Sequence, residues 1–394
     1  MKHYDMLVIG AGMSGLSMAH QCLQKGLKIA ILEKTNRVGG TFHSHRFTDD
    51  FWVELGAHTT FNSYGNILKM MEDCQLLNET RKREKVSFRM WVNNAVKSIP
   101  SQLHFIELLL SAYRLFTLKK EGQTVQSYYE KIVGKRNYKA VFGHAFNAVI
   151  CQQANDVPAD MLFRKKPRRK DVLRSFTFDN GLQTITDHVA QQADLTTFTE
   201  QDIQSITFDN HIFTVKTQTE TFTASHLTLA TPADVTAKLL QPTFPEISQS
   251  LEKIKIVSVE TVAIMVDKDV VKLPPVMGLI AKDDQFFSMV ARDTVKHPKY
   301  RGFVFHFKSL GLSHDEKIQQ ICKVLNITES QIIDKVEKLN VLPSPVLGHH
   351  ALIEKVDNLL LDQPLALTGN YFLGISAEDC ASRSDSEFQR LYKN

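Results

Sequence analysis

The sequence predicts an α/β protein that combines a parallel-sheet nucleotide-binding domain with an α+β part, built from an antiparallel sheet and a helical lobe. Three observations predict it. The apolar run Tyr4–Ile9 enters Gly10-Ala11-Gly12-Met13-Ser14-Gly15 and then a helix-periodic stretch. A second apolar run, KIAILE, ends in Glu33. Helix-period segments between 97 and 190 then give way to strand-period segments between 201 and 310.

The totals suit two domains: 394 residues, 43% hydrophobic and 23% charged. A net charge of +4, from 47 basic and 43 acidic residues, is too small to imply a nucleic-acid binder. Five cysteines without a C-x-x-C spacing argue for reduced thiols rather than a disulfide framework or zinc site. The N-terminal apolar run is too short for a signal peptide, and no stretch reaches the ~18 apolar residues of a spanning helix. The expectation is a cytoplasmic protein.

In the first motif, Gly10 permits a sharp turn, Gly12 lets a pyrophosphate approach the backbone, and Gly15 lets the helix pack on the strand. Met13 and Ser14 open that helix, whose free N–H groups and positive dipole end suit phosphates. Glu33, at the end of the second strand, is placed to accept from a ribose hydroxyl. Lys34 and Arg37 follow, then Gly39-Gly40, then Glu54-Leu55-Gly56-Ala57-His58. This continuation resembles the FAD-binding half of the amine oxidase and protoporphyrinogen oxidase superfamily. The resemblance implies FAD as cofactor, a Rossmann-like FAD-binding domain with an inserted substrate domain, and backbone at Gly39, Gly40, Gly56 and Ala57 near the cofactor. It departs at Thr41, where the superfamily usually has arginine; Arg37 and Arg46 are the candidates to supply that charge.

Three alternating runs within 201–234 read as an antiparallel meander. The resemblance places Ile203 against the adenine and lets LTLATP, with Ala230, return to the main sheet. Between lies the helical lobe. Leu103, Phe105, Ile106, Leu109, Leu110, Tyr113 and Phe116 form a broad apolar helical face, for which core packing is the expectation and a bilayer interface the alternative. The basic run Arg164–Lys170 reads as a solvated loop, an anionic-lipid contact, or an attractor of a substrate bearing several carboxylates.

Four strand-like runs between 254 and 310 predict the antiparallel sheet. A helix capped by Ser313 and Glu316 follows, and ITESQIIDKVEKL is read as continuing it. Pro345, Gly348, His349, Gly369, Asn370, Gly374, Asp379 and Cys380 then resemble the layout of protoporphyrinogen oxidases. Leu365–Thr368 is expected as the last strand of the FAD sheet, with Gly369, Asn370 and Gly374 letting backbone near the flavin. The N–H groups of Ile375 and Ser376 are the candidates to face its N1–C2=O edge. Ser382-Arg383 stands where Ser-Gly usually opens a long helix, so a short closing helix is expected.

The implied domains are 1–80, 181–240 and 345–394 for FAD, 81–180 for the helical lobe, and 241–344 for the substrate-binding sheet and helices. The implied activity is FAD-dependent oxidation of a small polycarboxylate, a protoporphyrinogen or coproporphyrinogen. His58, Arg46 and Arg292 are the substrate-contact candidates, and peripheral membrane contact is a further candidate. No metal and no nucleic acid is expected. The alternatives are another amine oxidase or desaturase, a UDP-galactopyranose mutase-like enzyme, and a non-catalytic flavin or porphyrin carrier.

Overall fold

The computed structural model describes residues 2–392. Strand β1 (Lys2–Ile9) turns through the glycine loop into helix α1 (Met13–Gln24), and β2 (Ile29–Leu32) follows. Helix α2 (Gly65–Asp73) precedes a hairpin of β3 (Phe88–Val92) and β4 (Ala95–Lys97). Helices α3 (Phe105–Ala112), α4 (Val125–Val133) and α5 (Gly143–Ile150) lie in the lobe. Helix α6 (Gln183–Ala190) leads to β5 (Leu195–Phe198) and the meander β6 (Ile203–Asp209), β7 (Ile212–Thr217) and β8 (Thr221–Leu229). After α7 (Ala233–Leu240) and α8 (Pro245–Leu251) come β9 (Ile256–Asp267), β10 (Gly278–Ala281), β11 (Phe286–Ala291) and β12 (Tyr300–Lys308). Helix α9 (His314–Leu325), β13 (Ile332–Pro343), α10 (His349–Leu360), β14 (Leu365–Leu367) and α11 (Ala377–Tyr392) complete the order.

The first sheet runs β5-β2-β1-β8-β7-β6, with β14 also pairing β8. Its central pairs are parallel, and Met6–Ile9, Ile29–Leu32 and Leu227–Leu229 are buried. That burial is why these strands read as unbroken apolar runs: a parallel sheet is covered on both faces. One face packs against α1, α2 and α11, the other against α7, α8 and α10. The second sheet runs β13-β9-β12-β11-β10-β3-β4 and is antiparallel except for β10 with β3. Helix α9 covers one face, while Ala263, Met265 and Val304 meet Phe51, Val53 and Leu55 from the N-terminal segment.

Five expectations change. Residues 81–180 are not purely a helical lobe, because β3 and β4 extend the second sheet; their turn, Asn93-Asn94, has φ of 51° and 57°, the left-handed pair that a tight hairpin requires. Helix α8 packs into the first core through Ile247 and Leu251 instead of joining the sheet of 241–344. The segment read as a continued helix becomes β13: Asn326, left-handed at φ 54°, ends α9, and the strand alternates between half-buried and exposed residues along the edge. The apolar face of α3 is not core; of that helix only Ser111 is buried, while Ile106, Leu109 and Leu110 are 70–80% exposed. The closing helix is long, at 16 residues, because Ser376 and Asp379 cap it reciprocally: the Ser376 hydroxyl donates to the carboxylate at 2.6 Å, and the Asp379 N–H donates to that hydroxyl at 3.2 Å. Among the described residues no helix is long and apolar enough to cross a membrane.

Candidate functional site

The glycine loop is tight where packing demands it and open where a ligand would need it. Gly10 sits at φ +100°, and a Cβ there would lie 2.7 Å from the Ala230 carbonyl oxygen. A Cβ on Gly15 would lie 1.9 Å from the Gly10 oxygen, so helix and strand approach only because Gly15 lacks a side chain. Gly12 is different: only Gly40 Cα comes within 4 Å of its notional Cβ, at 3.9 Å. Gly12 pairs with Gly39 in a parallel bridge, and Gly39 donates to the Ala11 carbonyl at 2.8 Å. The first and second glycine motifs therefore form one backbone cradle at the start of α1. That start has no side-chain cap and no acidic residue in its first turn, leaving N–H groups and the positive dipole end for an anion. A dinucleotide diphosphate fits this cradle. Met13 and Ser14 are buried at the head of α1.

Glu33 braces the cradle. Its carboxylate accepts from the Ala11 N–H at 2.8 Å and from the Thr35 N–H and hydroxyl at 2.9 and 2.8 Å, and it retains lone pairs for a ribose hydroxyl. Gln201 donates to the Glu33 carbonyl, so the chain enters β6 at Ile203 beside this strand end. Ala230 donates to the Ile9 carbonyl and closes the other side. Lys34 turns outward to Asp202 at 3.1 Å. Thr41 is exposed, and Arg37 spends its donors on the carbonyls of Val38, Gly40 and Phe42.

The C-terminal return reaches the same place. Strand β14 pairs with β8, and Thr368 donates to the Leu229 carbonyl. Helix α11 then lies on α1, with the Ser384 hydroxyl donating to the Ser14 carbonyl at 2.8 Å. The glycines here have local duties. A Cβ on Gly369 would lie 2.6 Å from the buried Tyr371 ring, and one on Gly374 would lie 2.6 Å from the Asp379 carboxylate. Asn370 is half-buried between them. The Ser376 N–H, expected to face a flavin, is taken by Asp379 at 3.2 Å, while the Ile375 side chain packs on the helical lobe. Asp379 also pairs with Lys166 at 2.7 Å, which makes part of the basic run structural. Burial pushes the Cys380 thiol up to about 11, so it stays protonated.

Gly56 and Ala57 fold back on Thr41: a Cβ on Gly56 would lie 2.1 Å from its carbonyl oxygen, and the Ala57 N–H donates to it. His58 follows and meets His306 of β12, Nε2 to Nε2 at 2.9 Å. The His306 Nδ1 meets the Thr261 hydroxyl at 3.2 Å, and Asn340 of β13 donates both to that hydroxyl and to the Leu55 carbonyl. Burial depresses His306 to about 4 and holds His58 well below its ordinary value, with the charges of His306 and Arg83 adding to the effect on His58. Both rings are neutral at pH 7 and share one hydrogen between the facing nitrogens. This chain of contacts fastens the second sheet to the first domain.

Arg46 is held by its own turn, while Arg292 has no ion pair among the described residues and keeps a buried Nε without a hydrogen-bond partner. Arg46 is exposed and donates to the Asp49 carbonyl of its own turn. Arg292 lies over the rings of Phe51 and Trp52, at 4.6 and 4.7 Å, and donates to the Val295 carbonyl; burial lowers it to about 10. Arg83, which local motifs did not single out, is half-buried and bonds the hydroxyls of Thr59, next to His58, and Thr294. Among the described residues it has no ion pair with a carboxylate; Glu54, buried and pushed up to about 7, is its nearest electrostatic partner.

Residues 13–326 match the protein family described as flavin containing amine oxidoreductase. Curated relatives match mainly in short stretches. The chain is 41% identical over 58 residues to the flavin-dependent L-tryptophan oxidase RebO of Lentzea aerocolonigenes, covering 14% of this chain and 12% of that protein. It is 37% identical over 67 residues to a flavin-containing amine oxidase of Danio rerio, covering 17% and 13%. These matches thus span well under two thirds of the relatives' own length. Among solved structures, an Exiguobacterium sp. 255-15 protein provisionally described as a protoporphyrinogen oxidase superposes with a TM-score of 0.80 at 16% identity, covering 98% of both chains. A conjugated-linoleic-acid-producing fatty acid isomerase from P. acnes gives 0.79 at 15%, covering 99% of both. A reduced UDP-galactopyranose mutase gives 0.75 at 15%, covering 99% of this chain and 94% of the other. At these identities the superpositions establish the fold.

Proposed function

The chain belongs to the flavin-containing amine oxidoreductase family and its cofactor is FAD; from that premise we propose that it is an oxidase whose substrate is a porphyrinogen, of the protoporphyrinogen or coproporphyrinogen type. When bound, FAD supplies the acceptor for the hydride removed from the substrate, and oxygen or another acceptor takes up the electrons. The protein's own residues supply the rest. The glycine cradle and the head of α1 hold the diphosphate, and Glu33 holds the ribose. The neutral His58–His306 pair fixes the loop after Gly56 against β12. The observation that carries the substrate class is Arg83: a half-buried guanidinium beside His58 that, among the described residues, feels Glu54 but makes no ion-pair contact with a carboxylate, and so suits a substrate carboxylate. The fold shared with the Exiguobacterium protein supports the same reading.

Replacing Arg83 by glutamine is expected to raise KM for the porphyrinogen about tenfold or more while changing kcat little, the pattern of a lost binding contact worth about 1.5–3 kcal/mol. An unchanged KM removes Arg83 from the substrate site. Turnover of an amine or a UDP-sugar, with neither porphyrinogen oxidised, moves the assignment to the oxidase or mutase reading. Tight porphyrin binding without oxidation makes the protein a carrier.

A separate observation favours peripheral contact with an anionic bilayer. Phe105, Ile106, Leu109, Leu110 and Phe116 are exposed together, and Arg114 and Lys119 lie on the same segment. The Lys120 ammonium bonds the Leu162 carbonyl at 2.6 Å, bringing exposed Phe163, Arg164 and Lys165 alongside. An apolar face edged by basic residues matches an acyl boundary under anionic headgroups. The protein is expected to sediment with phosphatidylserine-containing vesicles and a Leu109→Glu, Phe116→Glu variant to stay in the supernatant. Equal sedimentation of the two would refute this contact.

A further inference from the structure

Two cations converge on the glycine cradle from different domains. Arg37, on the loop after β2, donates to the Gly40 carbonyl at 2.6 Å. Lys338, near the middle of β13 in the second sheet, donates to the same carbonyl at 3.3 Å. Gly40 is in contact with Gly12, since a Cβ on Gly40 would lie 3.1 Å from Gly12 Cα. The Lys338 ammonium therefore reaches the Gly39-Gly40 loop, which packs against the loop that opens α1. Among the described residues neither cation has an ion pair with a carboxylate, and Lys338 uses one of its three donors. A third polar group joins them: His43, whose buried Nδ1 has no hydrogen-bond partner, is depressed to about 3 by burial and by the charges of Arg37 and Lys338. Burial and the neighbouring Arg37 also bring Lys338 down to about 8, as for a half-buried ammonium lacking its counter-charge.

Arg37 feels the carboxylates of Glu33 and Asp187, but Lys338 is a half-buried ammonium with no carboxylate in ion-pair contact among the described residues, beside an uncapped helix start. On the flavoprotein reading above, we propose that Lys338 is a cofactor-binding residue: its ammonium pairs with the diphosphate of FAD, so that the inserted sheet contributes directly to the nucleotide site. The strand geometry supports this. Along β13, Lys338, Asn340 and Leu342 alternate onto the half-buried face, while Leu339 and Val341 face outward. The face that sends Lys338 to Gly40 thus also sends Asn340 to the Leu55 carbonyl. Cofactor binding and seating of the inserted sheet on the first domain are then one event.

The test is equilibrium binding of FAD and of riboflavin, which lacks phosphate, to wild-type protein stripped of flavin and to the Lys338→Gln and Lys338→Arg variants, followed by flavin fluorescence. Thermal unfolding of each stripped protein reports folding. The expected result is FAD affinity reduced about tenfold or more in Lys338→Gln, riboflavin affinity unchanged, and FAD affinity largely restored in Lys338→Arg. A shallower salt dependence of FAD binding in Lys338→Gln accompanies it. Equal losses for FAD and riboflavin, or no loss for either, would overturn the proposal. Wild-type protein that binds no FAD would overturn the flavoprotein reading and this inference with it, an outcome distinct from equal binding by wild type and variant. Should Lys338→Gln not fold, the outcome rests on Lys338→Arg and on wild-type protein: FAD binding no tighter and no more salt-sensitive than riboflavin binding overturns the proposal.

Discussion

A chain ended at Thr368 is expected to bind no FAD and to lose the packing of its first domain. Although only residues 369–392 of the described chain follow Thr368, they cover α1. The lost groups include the Ser384 hydroxyl on the Ser14 carbonyl, the Arg383 guanidinium on the Leu367 carbonyl at 3.0 Å, and the Arg390 guanidinium on the carbonyls of Leu360, Gln363 and Leu365. Cys380 and Ala381, buried in the same cluster as Met6, Val8 and Leu16, go with them. Each buried carbonyl left without a donor costs about 1–3 kcal/mol, and exposing the inner face of α1 adds to that. Comparing the yellow colour and near-ultraviolet circular dichroism of the two chains checks this. A truncated chain that keeps its flavin would refute the assignment of α11 as the closing element.

Replacing Gly15 by alanine is expected to have the largest effect of any single methyl group. The added carbon would sit 1.9 Å from the Gly10 carbonyl oxygen and 3.1 Å from a Val8 methyl. Neither the turn nor the strand can yield without moving α1 from the sheet. Overpacking of this kind costs ~3 kcal/mol at the upper end, and here the displaced element carries the cradle. Loss of FAD binding with a lowered melting temperature is the expected outcome. The contrasting site is Gly12, where a Cβ meets only Gly40 Cα at 3.9 Å: alanine there should leave the protein without cofactor as stable as wild type and weaken FAD binding alone. Equal destabilisation by the two substitutions would mean that the open space at Gly12 is not a ligand space.

The N-terminal half of the site was legible because its requirements are local. A tight turn, a close helix–strand approach and a carboxylate at a strand end are all written within about thirty residues. The central strands of the first sheet announced themselves by burial as unbroken apolar runs, its meander by alternation, and the second sheet only in its runs between 254 and 310. What could not be read locally depends on distant partners. Lys338 and Asn340 lay hidden in a segment whose Ile-Ile-x-x-Val spacing also suits a helix; the period-two alternation from Lys338 to Leu342 was the available signal. Arg83 and His306 carry no motif, and only the folded chain brings them to Thr59 and His58. For α3, helical amphipathicity correctly gave the helix, but the same pattern fits a core face and an exposed one, and only packing distinguishes them. The reciprocal cap of α11 by Ser376 and Asp379 is visible as a Ser-x-x-Asp spacing, and Ser382-Arg383 within the helix does not shorten it.

On the reading proposed above, this fold holds FAD ready to oxidise a porphyrinogen. The most direct measurement mixes FAD-loaded protein with protoporphyrinogen or coproporphyrinogen in the absence of oxygen and follows the flavin absorption. One of the two is expected to bleach the flavin, with porphyrin fluorescence growing once air is admitted. Flavin that stays oxidised with both, while remaining reducible by an amine or another donor, would contradict it.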